Sequence, residues 1–267
     1  MVRLFLQVFW LGCVGLNAYA QPLQLTTEEN RPYSYRDAGQ LRGMAVDVVR
    51  ELARRTGEQI EIDVQPWTRS YQKVRRGESL VLFPVVRTAE RERLFHWVGP
   101  ITASRASVYT RASSDLRLHG VADVRSFAAV ALPRQWYSYE RLRSLGLENL
   151  YGVNSPQTMM RMFSRGRVEV LISERIGLAA LLAEQGMQPS QVRWQFDLMP
   201  SVSYIAFSRA FEPRRVALWQ SRLSSMRRDG QLEAINRQWF GDLLSDERAA
   251  LLESQPMNER VAKMPAL

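Results

Sequence analysis

The sequence is nearly without cysteine and histidine. Cys13 is the single cysteine among 267 residues, and the two histidines are His96 and His119. Removal of an N-terminal leader that includes Cys13 leaves no thiol, which excludes disulfides, thiol catalysis and cysteine-ligated metals. The histidines show no metal-ligand spacing with acidic residues, and no nucleophile elbow for a serine hydrolase occurs. We therefore predict neither a metal nor a cofactor.

Long apolar runs are absent apart from one at the N-terminus. Residues 1–20, MVRLFLQVFWLGCVGLNAYA, follow an arginine with an apolar stretch and end in the AYA pattern of a secretory signal cleaved after Ala20. A membrane anchor needs roughly 20 apolar residues, and Asn17 interrupts this shorter stretch. Lipid attachment at Cys13 is disfavoured because Trp10 occupies a position that calls for an aliphatic residue. We expect an exported protein that is not integral to the membrane.

Acidic residues are outnumbered by basic ones, and the formal net charge is +9. An excess of basic over acidic residues can indicate a nucleic-acid partner. The arginines, however, are scattered along helix-like segments among acidic residues, and no nucleic-acid-binding motif occurs. We interpret the charge as a solvated basic surface and expect no nucleic-acid partner.

Strand-like and helix-like segments alternate in two series. The first is LQLTT (23–27), GMAVDVVRELARRTG (43–57), QIEIDV (59–64), PWTRSYQKVRRG (66–77) and SLVLFPVV (79–86). The second is AAVALP (128–133), YSYERLRSLG (137–146), LENLYGV (147–153), SPQTMMRMFSRG (155–166), VEVLIS (168–173) and ERIGLAALLAEQG (174–186). Such alternation builds parallel sheets flanked by helices. Two series predict two α/β lobes.

Two further strand-like segments, ASRASVYTR (103–111) and SVSYIAFSR (201–209), flank the second series. A chain that enters a second lobe and returns to the first needs two such crossings. Amphipathic helices around 213–228 and 230–240 follow and are expected to pack on the first lobe. Beyond them, from position 241 onward, we expect a short helix and a loose tail.

These segments together resemble a known family. RPYSYRDAGQLRGMAVDVVRELARRTG is similar to the opening of the bacterial extracellular solute-binding proteins of family 3, and PWTRSYQKVRRGE, RTAERERLFHWVGP, GRVEVLISE and SYIAFSR follow in the family's order and spacing. The resemblance covers nearly all of residues 22–240. It implies a two-lobe α/β fold like that of the type 2 periplasmic binding proteins. Each lobe would be a mostly parallel sheet flanked by helices, and two hinge strands would join the lobes.

The resemblance also implies a domain plan and a role. We expect a signal peptide at 1–20, lobe 1 at 21–108 and again at 204–242, lobe 2 at 109–203, and a tail at 243–267. The protein is expected to be a monomer that captures a small polar, carboxylate-bearing ligand, similar to an amino acid, in the cleft between the lobes. It would deliver that ligand to a membrane permease of the ABC type or to a sensor. The ligand's identity stays open.

In this family, a Thr-x-x-Arg turn after the third strand places an arginine in the cleft, where it binds the ligand's α-carboxylate. TAER (88–91) matches the turn, so the resemblance assigns this role to Arg91. A planar guanidinium suits the role because it can hold a carboxylate through two parallel hydrogen bonds. The alternative is a surface pair between Arg91 and a neighbouring acid such as Glu92, although Arg87 and Arg93 fit that surface role better.

Two aromatic residues match positions where the family places aromatic walls on the ligand. These are Tyr33, in an aromatic-proline turn, and Trp67, at the start of the second helix. Packing in the core is the alternative for each, but both stand at strand-to-helix junctions, where open α/β sheets bind ligands. Arg69, in the same helix as Trp67, is either a second contact for an anion or a surface charge.

The chain departs from the family's pattern at two places. Relatives that bind amino acids use a small residue and a hydroxyl before the arginine to receive the α-ammonium group, whereas Pro84 and Val86 offer no side-chain hydrogen bond here. The family's anion loop after the first strand of lobe 2 is replaced by a segment with Arg134, Trp136 and Tyr137. These side chains either suit a different carboxylate or fill the pocket. Recognition of an α-amino group therefore stays open.

In this family, lobe 2 offers an acidic residue to the ligand's ammonium group, and the resemblance assigns this role to Glu174, which is one methylene longer than the usual aspartate. The same position raises an alternative, because periplasmic cyclohexadienyl dehydratases share this fold and place an acidic residue near it. A partly buried glutamate with a raised pKa could serve there as a general acid. Binding is the commoner use of such a residue, so we predict a binding protein rather than an enzyme.

Overall fold

The computed structural model describes residues 21–241 of the chain. The strands in this range are β1 (Leu23–Thr27), β2 (Tyr35–Asp37), β3 (Gln40–Arg42), β4 (Ile60–Val64), β5 (Val81–Val86), β6 (Phe95–Arg111), β7 (Val130–Pro133), β8 (Leu150–Val153), β9 (Val170–Glu174) and β10 (Val192–Ser208). The α-helices are α1 (Met44–Thr56), α2 (Trp67–Arg75), α3 (Val121–Val124), α4 (Tyr137–Ser144), α5 (Pro156–Ser164), α6 (Arg175–Ala183), α7 (Pro213–Arg228) and α8 (Gln231–Phe240).

The two alternating series fold as their residue patterns predict. The five elements of the first series and the six of the second each lie within a few residues of the predicted segments. Helix α1 shows the physical reason, because Met44, Val48 and Leu52 recur at helical spacing and are fully buried. The helix ends at Gly57, whose φ of 74° lies in the left-handed region that favours glycine.

The main sheet has the strand order β4-β1-β5-β10-β6-β9. In lobe 1, β1 pairs in parallel with β4 on one side and with β5 on the other. In lobe 2, β7 and β8 form a separate parallel pair. The long strands β6 and β10 run antiparallel to their neighbours β9 and β5, and also to each other. Parallel pairing thus belongs to the α/β series, and every antiparallel pair of the main sheet includes a joining strand.

These joining strands, β6 and β10, are 17 residues each. They pair from Val192 opposite Arg111 to Ser208 opposite Phe95, so both strands run through the two lobes. The predicted crossing segments are their second halves, and the first halves were missed. The predicted lobe boundaries, 108/109 and 203/204, fall inside these strands; the division itself remains a prediction.

Each lobe has a hydrophobic core of its own. The largest fully buried side chains of the lobe 1 core include Trp219, Phe207 and Leu52. The lobe 2 core contains Phe163 and Leu132, which are also fully buried. Trp219 lies on α7, so the helices after the second crossing pack back on lobe 1, as predicted.

Some features lie beyond the sequence predictions. The β2–β3 hairpin and the short helix α3 were not anticipated. The predicted signal peptide and the C-terminal tail fall outside the described residues, except for position 241. Within residues 21–241, no helix has both the length and the apolar character that a bilayer crossing requires.

Candidate functional site

The two lobes face each other across a cleft at the carboxyl ends of β1, β5, β7 and β9. The cleft holds about 640 Å³ of atom-free space, part of it open to solvent. Lobe 1 lines it with Glu28, Asn30, Tyr33, Trp67, Pro84, Val85, Val86 and Arg91. The opposite wall consists of Gln135, Trp136, Tyr137, Ser173, Glu174, Gly177 and Leu181, and Ser203 of the joining strand β10 completes the lining. Ligands of α/β proteins bind at this position, outside the carboxyl ends of the strands.

Tyr33 reaches the cleft from the turn between β1 and α1. The main-chain N–H of Ala45, at the start of α1, donates to the Tyr33 carbonyl at 3.0 Å and so ties the turn to the helix. Gly43 allows this close approach, since a Cβ there would lie 2.2 Å from the Tyr33 carbonyl oxygen. The Tyr33 side chain is buried, and its hydroxyl donates to Glu174 Oε2 at 2.7 Å.

Arg91 lies in the turn that follows β5, and the residue is only 3% exposed. Its guanidinium carbon lies 5.2 Å from the ring centre of Trp67 and 5.9 Å from that of Tyr71. These two rings stack with centres 5.6 Å apart. Arg91 Nη2 donates to the Gln135 carbonyl at 3.2 Å and to Glu140 Oε2 at 3.0 Å. Arg91 Nε is buried and has no hydrogen-bond partner among the described residues 21–241.

The arginines on either side of Arg91 point elsewhere. Arg87 holds Glu92 through two hydrogen bonds of 2.7 and 2.6 Å, so Glu92 does not pair with Arg91. Arg93 is exposed. The acidic partner of Arg91 is instead Glu140, in lobe 2.

Glu174, at the end of β9, presents a carboxyl group to the cleft from lobe 2. Ser201 donates to its Oε1 at 2.6 Å, while Tyr33 donates to its Oε2. Burial raises the pKa of Glu174, and these hydroxyl hydrogen bonds oppose that shift. Burial and the neighbouring Glu174 carboxylate raise the pKa of Tyr137 well above its usual value. The site thus combines a buried cation on lobe 1 with a half-buried acid on lobe 2.

The other residues singled out in the sequence lie at varied distances from this centre. Trp136 and Tyr137 line the cleft, and Tyr137 is buried. Arg134 is exposed, packs against Gly152 and lines an adjoining outer space between the lobes. Arg69 is exposed on α2 and does not line the cleft, so the structure does not bring it together with Arg91.

Pro84 and Val86, which offer no side-chain hydrogen bond, line the cleft as the family resemblance implies. Hydroxyl groups come instead from other strands. Ser203 on β10 lies opposite Val86 in the sheet, and Ser173 lies on β9. Both serines are buried and line the cleft.

Sequence reasoning missed two acidic residues beside Arg91. Burial raises the pKa of Glu28 to about 7, although the nearby Arg91 charge opposes the shift. Glu28 directly follows β1, and the carboxyl end of a parallel strand was a signal that could have identified it. Glu140 lies on α4 and is 49 residues from Arg91 in the chain, so no local pattern connects the two.

The histidines do not belong to the cleft lining. His96 Nδ1 lies 3.1 Å from Arg209 Nη1 on the surface of lobe 1. Among the residues that the structure describes, no group of three histidine, cysteine or acidic side chains is arranged to hold a metal ion.

Comparison with known proteins gives concordant results. The L-cystine-binding protein TcyA of Bacillus subtilis (strain 168) is 23% identical over 216 residues, which are 80% of this chain and 79% of that protein. A histidine kinase sensor domain similar to periplasmic binding proteins superposes with a TM-score of 0.74 at 20% identity, covering 82% of this chain and 96% of that one. An ancestral arginine-binding protein bound to arginine superposes with a TM-score of 0.72 at 16% identity, covering 82% of this chain and 98% of that one.

Two lobes, a pair of joining strands and a cleft between them define a protein with the periplasmic binding fold. The family described as bacterial extracellular solute-binding proteins, family 3, matches residues 23–242. The chain belongs to that family.

Proposed function

We propose that this protein binds a small, carboxylate-bearing ligand similar to an amino acid and presents it to an ABC-type permease or a sensor in the membrane. The observation that carries the proposal is the burial and incomplete hydrogen bonding of the Arg91 guanidinium. Its guanidinium is buried between the lobes against Trp67 and Tyr71, and its Nε lacks a hydrogen-bond partner within the part of the chain that the structure describes. A buried donor without a partner is costly, so a ligand oxygen at that position would stabilise the closed form.

Glu174 would bind the ligand's ammonium group from lobe 2, while Arg91 binds its carboxylate from lobe 1. A carboxyl group has about four lone-pair positions, and the hydroxyl hydrogen bonds from Tyr33 and Ser201 leave capacity for a ligand ammonium group. Trp67, Trp136 and the buried Tyr137 would provide the walls. The L-cystine and arginine ligands named for similar proteins are consistent with a ligand that carries both charges.

The experiment is a calorimetric and thermal-shift screen of the mature protein against L-arginine, L-cystine, L-glutamine, L-lysine and L-glutamate. For a ligand that binds, Arg91→Ala should weaken binding by roughly 2–5 kcal/mol, as expected when a buried charge pair loses one partner. The exposed Arg93→Ala is the matched control and should retain affinity. If Arg91→Ala binds as tightly as Arg93→Ala, the ligand does not use this site.

We also propose that the chain acts in the periplasm after cleavage behind Ala20. The AYA ending of residues 1–20 supports this proposal. The intact mass of the exported protein should correspond to a chain that begins at Gln21 without lipid. A mass that includes a diacylated Cys13 would contradict it.

One observation also favours an enzyme of the same fold, namely the pKa of the half-buried Glu174 carboxyl, which desolvation raises. Such a group can act as a general acid toward a prephenate-like substrate. Glu174→Gln separates the two functions. A binding protein for an amine-bearing ligand should lose affinity, whereas a dehydratase should keep affinity for prephenate and lose turnover.

A further inference from the structure

The guanidinium of Arg91 already donates hydrogen bonds to lobe 2. A terminal guanidinium nitrogen carries two N–H groups, and Arg91 Nη2 has two acceptors, the Gln135 carbonyl and Glu140 Oε2. The neighbouring Nε is buried, and no group in residues 21–241 accepts a hydrogen bond from it. Along the guanidinium edge formed by Nε and Nη2, the N–H of Nη2 already has an acceptor, whereas the N–H of Nε has none among the described residues.

A carboxylate that binds this edge through two parallel hydrogen bonds needs one N–H from Nε and one from Nη2. Since both acceptors of Nη2 belong to the protein, the incoming carboxylate must displace one of them. Arg91 thus cannot take a bidentate ligand in the arrangement described.

The two acceptors differ in how readily they can leave. The Gln135 carbonyl is part of the main chain in the turn between β7 and α4, where the flanking N–H groups of Arg134 and Trp136 bond to Val153 and Pro133 carbonyls at 3.0 Å each. The Glu140 side chain is 35% exposed and borders the outer space between the lobes. Glu140 is therefore the acceptor that can swing away.

We infer that Glu140 is a built-in competitor for the carboxylate site on Arg91 and so determines affinity and specificity. The inference rests on the proposed function. Because Arg91 belongs to lobe 1 and Glu140 to lobe 2, their ion pair also joins the lobes in the way a ligand would. Small carboxylates with no other contact should bind weakly, and a ligand that also reaches Glu174 and the aromatic walls should displace Glu140.

A carboxylate-replacement experiment tests this directly. Glu140→Ala removes the internal carboxylate, and sodium acetate is then titrated against sodium chloride at equal ionic strength while the thermal midpoint is recorded. Glu140→Ala should respond to acetate at about fivefold or more lower concentration than the wild type, a factor typical of a partly exposed ion pair. Glu140→Gln keeps the side-chain volume without the charge and should shift in the same direction.

Two controls locate the effect. The Arg91→Ala/Glu140→Ala double variant should lose the acetate response, and Glu148→Ala, an exposed position of lobe 2, should behave as the wild type. Equal acetate responses in Glu140→Ala and wild type, or an undiminished response in the double variant, would overturn the inference. The same follows if both Glu140 variants respond more weakly than the wild type, because Glu140 would then orient Arg91 rather than compete.

The amino-acid screen separates this inference from the proposed function. If no amino acid binds the wild type but Glu140→Ala takes acetate through Arg91, the proposed function fails and the competition stands. If an amino acid binds through Arg91 and Glu140→Ala gains no affinity for acetate, the competition fails alone.

Discussion

The Tyr33 hydroxyl donates a hydrogen bond to Glu174 Oε2 at 2.7 Å, and these residues lie 141 positions apart on opposite lobes. Ser201, on a joining strand, donates to the other oxygen of the same carboxyl group at 2.6 Å. The lobe 2 acid is thus held by one hydroxyl from lobe 1 and one from a joining strand. Closure of the lobes and placement of this acid are therefore coupled.

Tyr33→Phe should lower the free energy of unfolding by about 1–3 kcal/mol, because a buried carboxylate oxygen loses its donor. The hydrogen bond from Tyr33 lowers the pKa of Glu174, so its loss should raise that pKa further. The destabilisation should consequently be larger at pH 8, where more of the Glu174 carboxyl is charged, than at pH 5. Urea unfolding at both pH values measures the difference.

Tyr151→Phe is the control, since Tyr151 is 56% exposed on lobe 2. It should change stability little at either pH. A Tyr33→Phe variant that unfolds like Tyr151→Phe would show that the interlobe bond is not maintained in solution.

Glu28→Gln should stabilise the protein increasingly as the pH rises. The pKa of Glu28 is about 7 in the folded protein against an ordinary value of 4.5, because burial disfavours its charged form. The folded state therefore binds more protons than the unfolded chain between these values, and wild-type stability is lost as the pH rises through that window. Because glutamine does not titrate, the Glu28→Gln variant does not lose stability over this pH range.

The measurement for Glu28 is the difference in thermal midpoint between variant and wild type, which should be small near pH 4.5 and reach a plateau above about pH 7. Glu90→Gln, an exposed position close to Arg91 in the chain, provides the comparison. A difference that is independent of pH would mean that Glu28 titrates normally.

Gly43→Ala should destabilise the protein strongly and disturb the cleft. Gly43 has a φ of 134°, and its Cβ would lie 2.2 Å from the Tyr33 carbonyl oxygen, a main-chain atom that cannot turn aside. We expect a loss of about 3 kcal/mol or more in the free energy of unfolding. Gly39→Ala, at a φ of 82° with no atom within 4 Å, should cost only about 1 kcal/mol. Similar losses for both variants would exclude the steric explanation.

The basic charge should not produce a nucleic-acid site. At physiological salt, the mature protein should show no micromolar binding to duplex or single-stranded DNA by fluorescence anisotropy. Binding with the steep salt dependence of several phosphate contacts would refute this prediction.

Local patterns in the sequence were enough to predict the α/β elements. Apolar residues at helical spacing in α1, and the glycine that ends it, act within a few residues of one another. The family resemblance supplied the arrangement of lobes and the choice of Arg91, and the family match over residues 23–242 confirms the membership. The full lengths of β6 and β10 were not predictable in this way, because each strand extends where its distant partner offers hydrogen bonds.

By itself the sequence determined the order of the elements and the presence of an arginine, two aromatic residues and a glutamate at the strand ends. Only the tertiary structure decided how these groups are paired. It places Glu140 on Arg91, Tyr33 on Glu174 and Glu28 close to the same guanidinium. The physical reason is that hydrogen bonds, burial and charge act through distance in space, and closure of two lobes brings together residues that no local pattern relates.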